Sequence, residues 1–207
     1  MVEYSSVEML RATLGALSDD LPASAVKLGM LGTETVMNEV ADALEKFDGP
    51  VVCDPVMIST SGRKLIDDGA QQVLKTRIFP RATIVTPNLH EAEALLGRKL
   101  ECPADVEAGA AELLATGCGS VLIKGGHSVK GDDDEASQDY WTDGKSGSWW
   151  LSTPRVPTMH THGTGCTLSS AIATAMAHGY GALDAVVIGK AYVTQGIKQV
   201  PHNIEAM

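Results

Sequence analysis

Apolar positions along the 207-residue chain fall into short blocks separated by polar and Gly/Pro-containing breaks. Leu10, Leu14 and Leu17 recur at helical spacing and predict a helix over Val7–Asp19. Ala25–Met30 reads as a short buried strand. Thr33 then offers a cap to a helix whose apolar face carries Val36, Val40, Ala43, Leu44 and Phe47. Pro50–Pro55 is a second strand, stopped by its closing proline at the acidic Asp54. The alternation continues with a helix over Asp68–Arg77, a strand over Ala82–Thr86, helices over Asn88–Leu96 and Ala104–Ala115, and a strand over Ser120–Lys124. Strands and helices alternating through short loops predict right-handed βαβ units and a mostly parallel sheet.

Beyond Lys124 the pattern changes. Gly125–Gln138, with its run Asp132-Asp133-Asp134-Glu135, reads as a solvated loop, and Asp139–Asp143 with Ser148–Thr153 as a hairpin around Asp143-Gly144. Apolar helices follow over Thr164–His178 and Leu183–Ile197. No repeat or linker divides the chain, so residues 1–207 are expected to form a single domain. The chain enters the alternation with a helix and no strand before it.

Composition narrows the function class. Hydrophobic residues make up 44% and charged residues 20%, within the globular range, which argues against disorder and fibrous repeats. No apolar run approaches the ~18 residues of a membrane span, and Met1-Val2-Glu3-Tyr4 does not open a signal peptide, so a cytoplasmic location is expected. The net charge of −10 makes nucleic acid and anionic membranes poor partners, and any bound phosphate needs a local device to hold it. Cys53, Cys102, Cys118 and Cys166 are scattered without a C-x-x-C pair, implying neither a disulfide framework nor a structural zinc site.

Ligands of an open parallel sheet gather outside the carboxyl ends of its strands. The residues there are Gly29-Met30-Leu31-Gly32, Asp54-Pro55-Val56-Met57, Thr86-Pro87-Asn88-Leu89-His90-Glu91 and Lys124-Gly125-Gly126-His127. They supply two carboxylates, an amide and a cation, an inventory suited to phosphate and a metal. The strongest local signal is His160-Thr161-His162-Gly163-Thr164-Gly165-Cys166-Thr167-Leu168. Its glycines permit a tight turn at the start of a helix, whose N–H groups and dipole bind an anion without basic side chains. The same field favours a thiolate at Cys166, a base or a nucleophile. A plainer reading of these residues, a Gly-rich turn with a small buried cysteine, stays open beside it. Cys53, in a strand, and Cys102 and Cys118, near helix ends, suit that plainer reading.

Other motifs carry less. Gly163-x-Gly165-x-x-Leu168 lacks the third glycine of a dinucleotide fingerprint. Gly144-Lys145-Ser146 resembles the end of a P-loop, but Asp139 stands where the first glycine is required. His160 and His162 have no further ligand cluster nearby, which argues against a metal site. Trp141, Trp149 and Trp150 sit on the hairpin, where covering the core is the simpler role. Met30 and Met57, at strand ends, suit core filling and pocket lining equally.

In combination the motifs are far more specific. Val26-Lys27-Leu28-Gly29-Met30-Leu31, Asp54-Pro55-Val56-Met57 with Thr60-Ser61-Gly62, Thr86-Pro87-Asn88-x-x-Glu91, Lys124-Gly125-Gly126-His127 and His162-Gly163-Thr164-Gly165-Cys166-Thr167-Leu168-Ser169 occur in one order. The sequence closely resembles the hydroxymethylpyrimidine/phosphomethylpyrimidine kinases of thiamine biosynthesis, within the ribokinase-like superfamily, from about Val7 to Gln199. The resemblance implies an α/β three-layer sandwich with a mostly parallel central sheet. It also implies ATP- and Mg²⁺-dependent phosphorylation of hydroxymethylpyrimidine and then of its monophosphate, in a homodimer. By motif, Gly163, Thr164, Gly165 and Cys166 would form the anion hole, with Cys166 the base that deprotonates the attacking hydroxyl. Glu91, with Asn88, would position Mg²⁺, Asp54 would order the metal and its waters, and Lys124 would contact ATP phosphate. Met30 would line the pyrimidine pocket, and Gly196 would lie near the adenine side.

Against that family's pattern, an N-terminal strand, a Gly-rich loop and a lid would be missing, as would a closing segment after His202-Asn203. A sheet without its first strand is expected to expose backbone edges and apolar surface. Three alternatives follow. Gly-Thr-Gly-Cys also resembles the motif of some pyridoxal kinases; a shortened chain could be a catalytically silent nucleotide-binding fragment; and Cys166 with His162 suggests, more distantly, a cysteine hydrolase. A plastid location would follow if a transit peptide preceded Met1.

Overall fold

The computed structural model describes residues 5–57, 65–66, 68–125, 135–158 and 162–199. Thr60-Ser61-Gly62, Gly126, His127, Asp132–Asp134, His160 and His202-Asn203 lie outside the described residues. Side-chain oxygens begin the first two helices. Ser6 Oγ accepts the Met9 N–H to start α1 (Val7–Asp20), and Thr33 Oγ1 accepts the Val36 N–H to start α2 (Glu34–Leu44), as predicted for Thr33. The face of α2 is displaced from the expected one. Met37, Val40, Ala41 and Leu44 are buried, Val36 and Ala43 only partly, and Phe47 lies beyond the helix end.

Strands β1 (Val26–Leu28), β2 (Val51–Cys53), β3 (Ile84–Val85) and β4 (Val121–Gly125) pair in parallel. Strands β5 (Ala136–Thr142) and β6 (Ser148–Pro154) add an antiparallel hairpin, and the sheet order follows the chain order. The hairpin is longer than predicted. β4 runs through Gly125 and β5 starts at Ala136, so both ends of the expected loop Gly125–Gln138 are strand.

Alternation along the strands sorts side chains onto two faces. One face turns Leu28, Val51, Cys53, Val85, Val121 and Ile123 into a core with α2, α3 (Asp68–Val73), α4 (Leu89–Leu96) and α5 (Pro103–Leu114). The other turns Val52, Ile84, Leu122 and Trp141 beneath α6 (Thr164–Ala177) and α7 (Ala182–Gln199). The result is the expected three-layer α/β sandwich. Among the described residues, no helix is long and apolar enough to cross a membrane.

Two helix predictions need correction. The segment expected as one helix over Asp68–Arg77 is α-helical only to Val73. It widens to a π-helical turn over Leu74–Ile78 and tightens to a 3₁₀ turn over Phe79–Arg81, where Pro80 lacks an N–H. Leu74, Ile78 and Phe79 are buried throughout this stretch, so packing overrides regular helix geometry. The apolar stripe of α1 is scarcely used. The helix has no buried residue, Leu17 is 50% exposed, and an exposed Arg11–Glu39 ion pair at 2.6 Å joins it to α2. Of the tryptophans, Trp141 is buried and Trp150 packs against the core, its indole N–H donating to Glu107 at 3.0 Å. Trp149 is exposed, against the core-covering expectation.

Candidate active site

The carboxyl ends of the four parallel strands meet at one edge of the sheet. The Asp54 N–H donates to the Leu28 carbonyl at 2.9 Å, the Thr86 N–H to Cys53 at 2.8 Å, and the Lys124 N–H to Pro87 at 2.8 Å. Lys124 also forms a parallel bridge with Asn88. Backbone pairing thus sets Asp54, Asn88 and Lys124 beside one another, although they come from the ends of three separate strands. Gly125 is fixed here by space: a Cβ on it would stand 2.0 Å from the Gln138 carbonyl oxygen on β5.

At the centre, Lys124 Nζ donates to Asp54 Oδ1 at 2.6 Å, with side-chain exposures of 13% and 2%. Two hydroxyls not anticipated from the sequence complete the surroundings of Asp54. Ser169 Oγ stands 3.3 Å from Oδ2, and Thr86 Oγ1 donates to Oδ1 at 3.5 Å. Ser169 Oγ is also 3.1 Å from the Gly165 and Cys166 carbonyls, which couples the first turn of α6 to the carboxylate. A serine three residues past Cys166, between Leu168 and Ile172 on an apolar helix face, is the signal that could have found it.

The Gly-rich turn lies directly over this ion pair. A methyl group on Gly165 would stand 3.3 Å from Lys124 Nζ and 3.9 Å from Asp54 Oδ2. Gly163 takes the N-cap position of α6 with φ +81°, a left-handed conformation that favours glycine, and no side chain caps the helix. Glycine at the N-cap brings no side chain to this helix start, which stands next to the Lys124 ammonium group. Cys166, in the first turn, is exposed, which corrects the plainer reading of a buried thiol. Cys53 and Cys118 are buried instead. Burial pushes the Cys53 thiol well up and the Cys118 thiol up to about 11, so both stay protonated at neutral pH.

Asn88 and Glu91 form a reciprocal cap on α4. The Glu91 N–H donates to Asn88 Oδ1 at 2.9 Å, and the Asn88 N–H to Glu91 Oε2 at 2.8 Å. Both expected metal-positioning residues thus also hold the start of a helix. Glu91 is 3% exposed, and burial raises its carboxyl above the ordinary value, opposed by the Lys124 charge and the Asn88 N–H and reinforced by Asp54. The sign follows from linkage: an acid raised on folding loses stability as pH climbs from the ordinary carboxylate range through its folded value. Gln at this position keeps the cap without the charge. Glu91→Gln is therefore expected to gain on the wild type in urea midpoint between pH 4 and neutrality; parallel profiles would contradict the buried charge.

The remaining expected site residues divide. Met30 lies two residues past β1 at the same sheet edge and is 40% exposed, whereas Met57 is core at 4%. Gly196 is exposed near the end of α7, and a Cβ there would meet nothing within 4 Å.

A sheet of this order, layered by helices and carrying a Gly-rich helix start over a buried Lys–Asp pair, is that of a ribokinase-like small-molecule kinase. More narrowly, the profile of the phosphomethylpyrimidine kinase family matches residues 1–206, and the chain belongs to that family. A hydroxymethylpyrimidine/phosphomethylpyrimidine kinase of Streptomyces coelicolor is 42% identical over 191 residues, covering 92% of this chain and 69% of that protein. The crystal structure of a phosphomethylpyrimidine kinase from Clostridium difficile 630 is similar with a TM-score of 0.80 at 33% identity, over 95% of this chain and 79% of that one. An ADP complex of Bacillus subtilis pyridoxal kinase reaches a TM-score of 0.86 at 31% identity, over 98% and 75%.

Proposed function

We propose that the chain transfers the γ-phosphoryl group of ATP to the hydroxymethyl oxygen of hydroxymethylpyrimidine, and then to the resulting monophosphate, in thiamine biosynthesis. The observation that carries this is the Gly163–Cys166 turn seated on the Lys124–Asp54 pair, within a chain of this family. The N–H groups of Gly163, Thr164, Gly165 and Cys166 receive the charge that develops on the transferring phosphoryl. Lys124 contributes a point charge to the phosphates, and Asp54 holds it in place. Cys166 takes the proton from the attacking hydroxyl as its oxygen bonds to phosphorus and ADP leaves. Met30 borders the pyrimidine, Gly196 lies toward the adenine, and the working unit is a homodimer.

The residues present fit Mg²⁺. Asp54 and Glu91 set two buried carboxylates against one ammonium, and among the described residues no three His, Cys, Asp or Glu gather as a cage. That suits an ion bound through one or two carboxylates, water and substrate phosphate. Asp54 and Glu91, with Asn88 beside them, would hold it, and it would neutralise charge on the β- and γ-phosphates.

A pyridoxal kinase is the second reading, favoured by the higher TM-score to that enzyme. The 42% identity to a pyrimidine kinase, against 31% to the pyridoxal kinase, supports the first. Incubation with ATP, Mg²⁺ and each acceptor in turn tests this. ADP release and a phosphorylated product are expected with hydroxymethylpyrimidine and its monophosphate; product with pyridoxal alone would overturn the assignment.

A further inference from the structure

A second buried ion pair stands beside the first. Lys124 on β4 and Asp139 on β5 are direct cross-strand partners, so both side chains leave the sheet on the face covered by α6 and α7. Lys124 turns to Asp54. Asp139 turns the other way, its Oδ2 accepting from Lys190 Nζ of α7 at 2.6 Å and its Oδ1 from the Gly125 N–H at 2.9 Å. Lys190 also donates to the Ser137 carbonyl at 3.2 Å. Asp139 is 6% exposed and Lys190 9%. Charges therefore alternate along this edge: Asp54 negative, Lys124 positive, Asp139 negative, Lys190 positive. Gly189 lets α7 come close enough to supply the last of them, since a Cβ there would stand 2.9 Å from Ile172 Cγ1 of α6.

We infer that Lys190 is a positioning residue for phosphoryl transfer: by neutralising Asp139, it keeps Lys124 on Asp54 beneath the Gly163–Cys166 turn. The inference rests on the reading of Lys124 as a phosphate ligand. A carboxylate so removed from water demands a cation. Directly opposed strand residues are about 4.5–5.5 Å apart at Cβ, and a lysine has a flexible four-carbon stem. Without Lys190, Asp139 competes with Asp54 for the Lys124 ammonium and draws it from the anion site.

Steady-state kinetics of three variants test this. Lys190→Met is expected to raise KM for ATP and to lower kcat on the order of 10²-fold, the effect of a small displacement at a reacting centre. Asp139→Asn removes the competitor and keeps an acceptor for the Gly125 N–H, so it is expected to retain near wild-type kinetics. The double variant Asp139→Asn/Lys190→Met is expected to recover activity. A merely structural pair would instead impair Asp139→Asn as much as Lys190→Met, and that result would overturn the role. So would wild-type kinetics in Lys190→Met, or a double variant no faster than Lys190→Met alone. Should the wild type transfer no phosphate to any acceptor, the functional reading fails by itself. The positioning claim is then decided by urea unfolding of Lys124→Met, Lys190→Met and their combination. Non-additive midpoint shifts support a Lys124 that answers to both carboxylates, and additive shifts refute it.

Discussion

Replacing Cys166 with alanine is expected to slow phosphoryl transfer to the hydroxymethyl group by about 10²–10⁴-fold, the usual worth of a positioned general base, while nucleotide affinity stays near that of the wild type. The side chain is exposed in the first turn of α6, one residue past the glycine that sits on Lys124, so its removal leaves the backbone N–H groups and the ion pair in place. The two transfers should respond differently. A hydroxymethyl oxygen must lose a proton as it attacks. A phosphate monoester, with its second pKa near 6, is already largely ionised at neutral pH. Transfer to the monophosphate is therefore expected to fall less than transfer to the alcohol. Following ADP release with each acceptor separately checks both statements. An unchanged rate with hydroxymethylpyrimidine would remove Cys166 from the proton path, and equal losses in both steps would assign the thiol to phosphoryl binding instead.

Most of the fold was legible because its signals are local. Short apolar blocks ending at Asp54, Thr86 and Lys124 announced parallel strands, and Thr33 announced the helix it caps. What escaped was set by contacts distant in the chain. The π-helical turn after Val73 follows from burying Leu74, Ile78 and Phe79 together, which no helical period encodes. The exposure of α1 depends on what stands opposite its leucines, and a stripe of leucines cannot report that.

The site divides along the same line. Strand ends named Asp54 and Lys124 as candidates, a Gly-rich helix start named the Gly-Thr-Gly-Cys turn, and parallel pairing with that helix laid across the edge brings them together. Asn88-x-x-Glu91 carries two messages at once: its place after a strand names a carboxylate at the site, whereas its second role, a capping box, is added by the structure. Ser169 and the Asp139–Lys190 pair were missed because the charged partner of each lies far along the chain, 115 residues for Ser169 and Asp54 and 51 for the ion pair.

Loss of the Lys124 charge is expected to be the most destabilising single change at the site. Asp54 is 2% exposed, and its remaining partners are neutral hydroxyls, so Lys124→Met leaves a buried anion without a counter-charge. Breaking one side of such a pair costs roughly 3–5 kcal/mol, which for a domain of this size lowers the melting temperature by about 6–20 °C at 2–4 °C per kcal/mol. The converse change is milder. In Asp54→Asn the ammonium, on a side chain already 13% exposed, can turn toward water and the Glu91 carboxylate. Removing both charges, in Lys124→Met/Asp54→Asn, is expected to restore most of the lost stability and none of the kinase activity, because the phosphate ligand is gone in either background. Thermal melts and ADP release on the three variants separate the contributions. A double variant as unstable as Lys124→Met would show that shape at this position, rather than the stranded carboxylate, sets the loss; a double variant with kinase activity would take Lys124 out of the phosphate site.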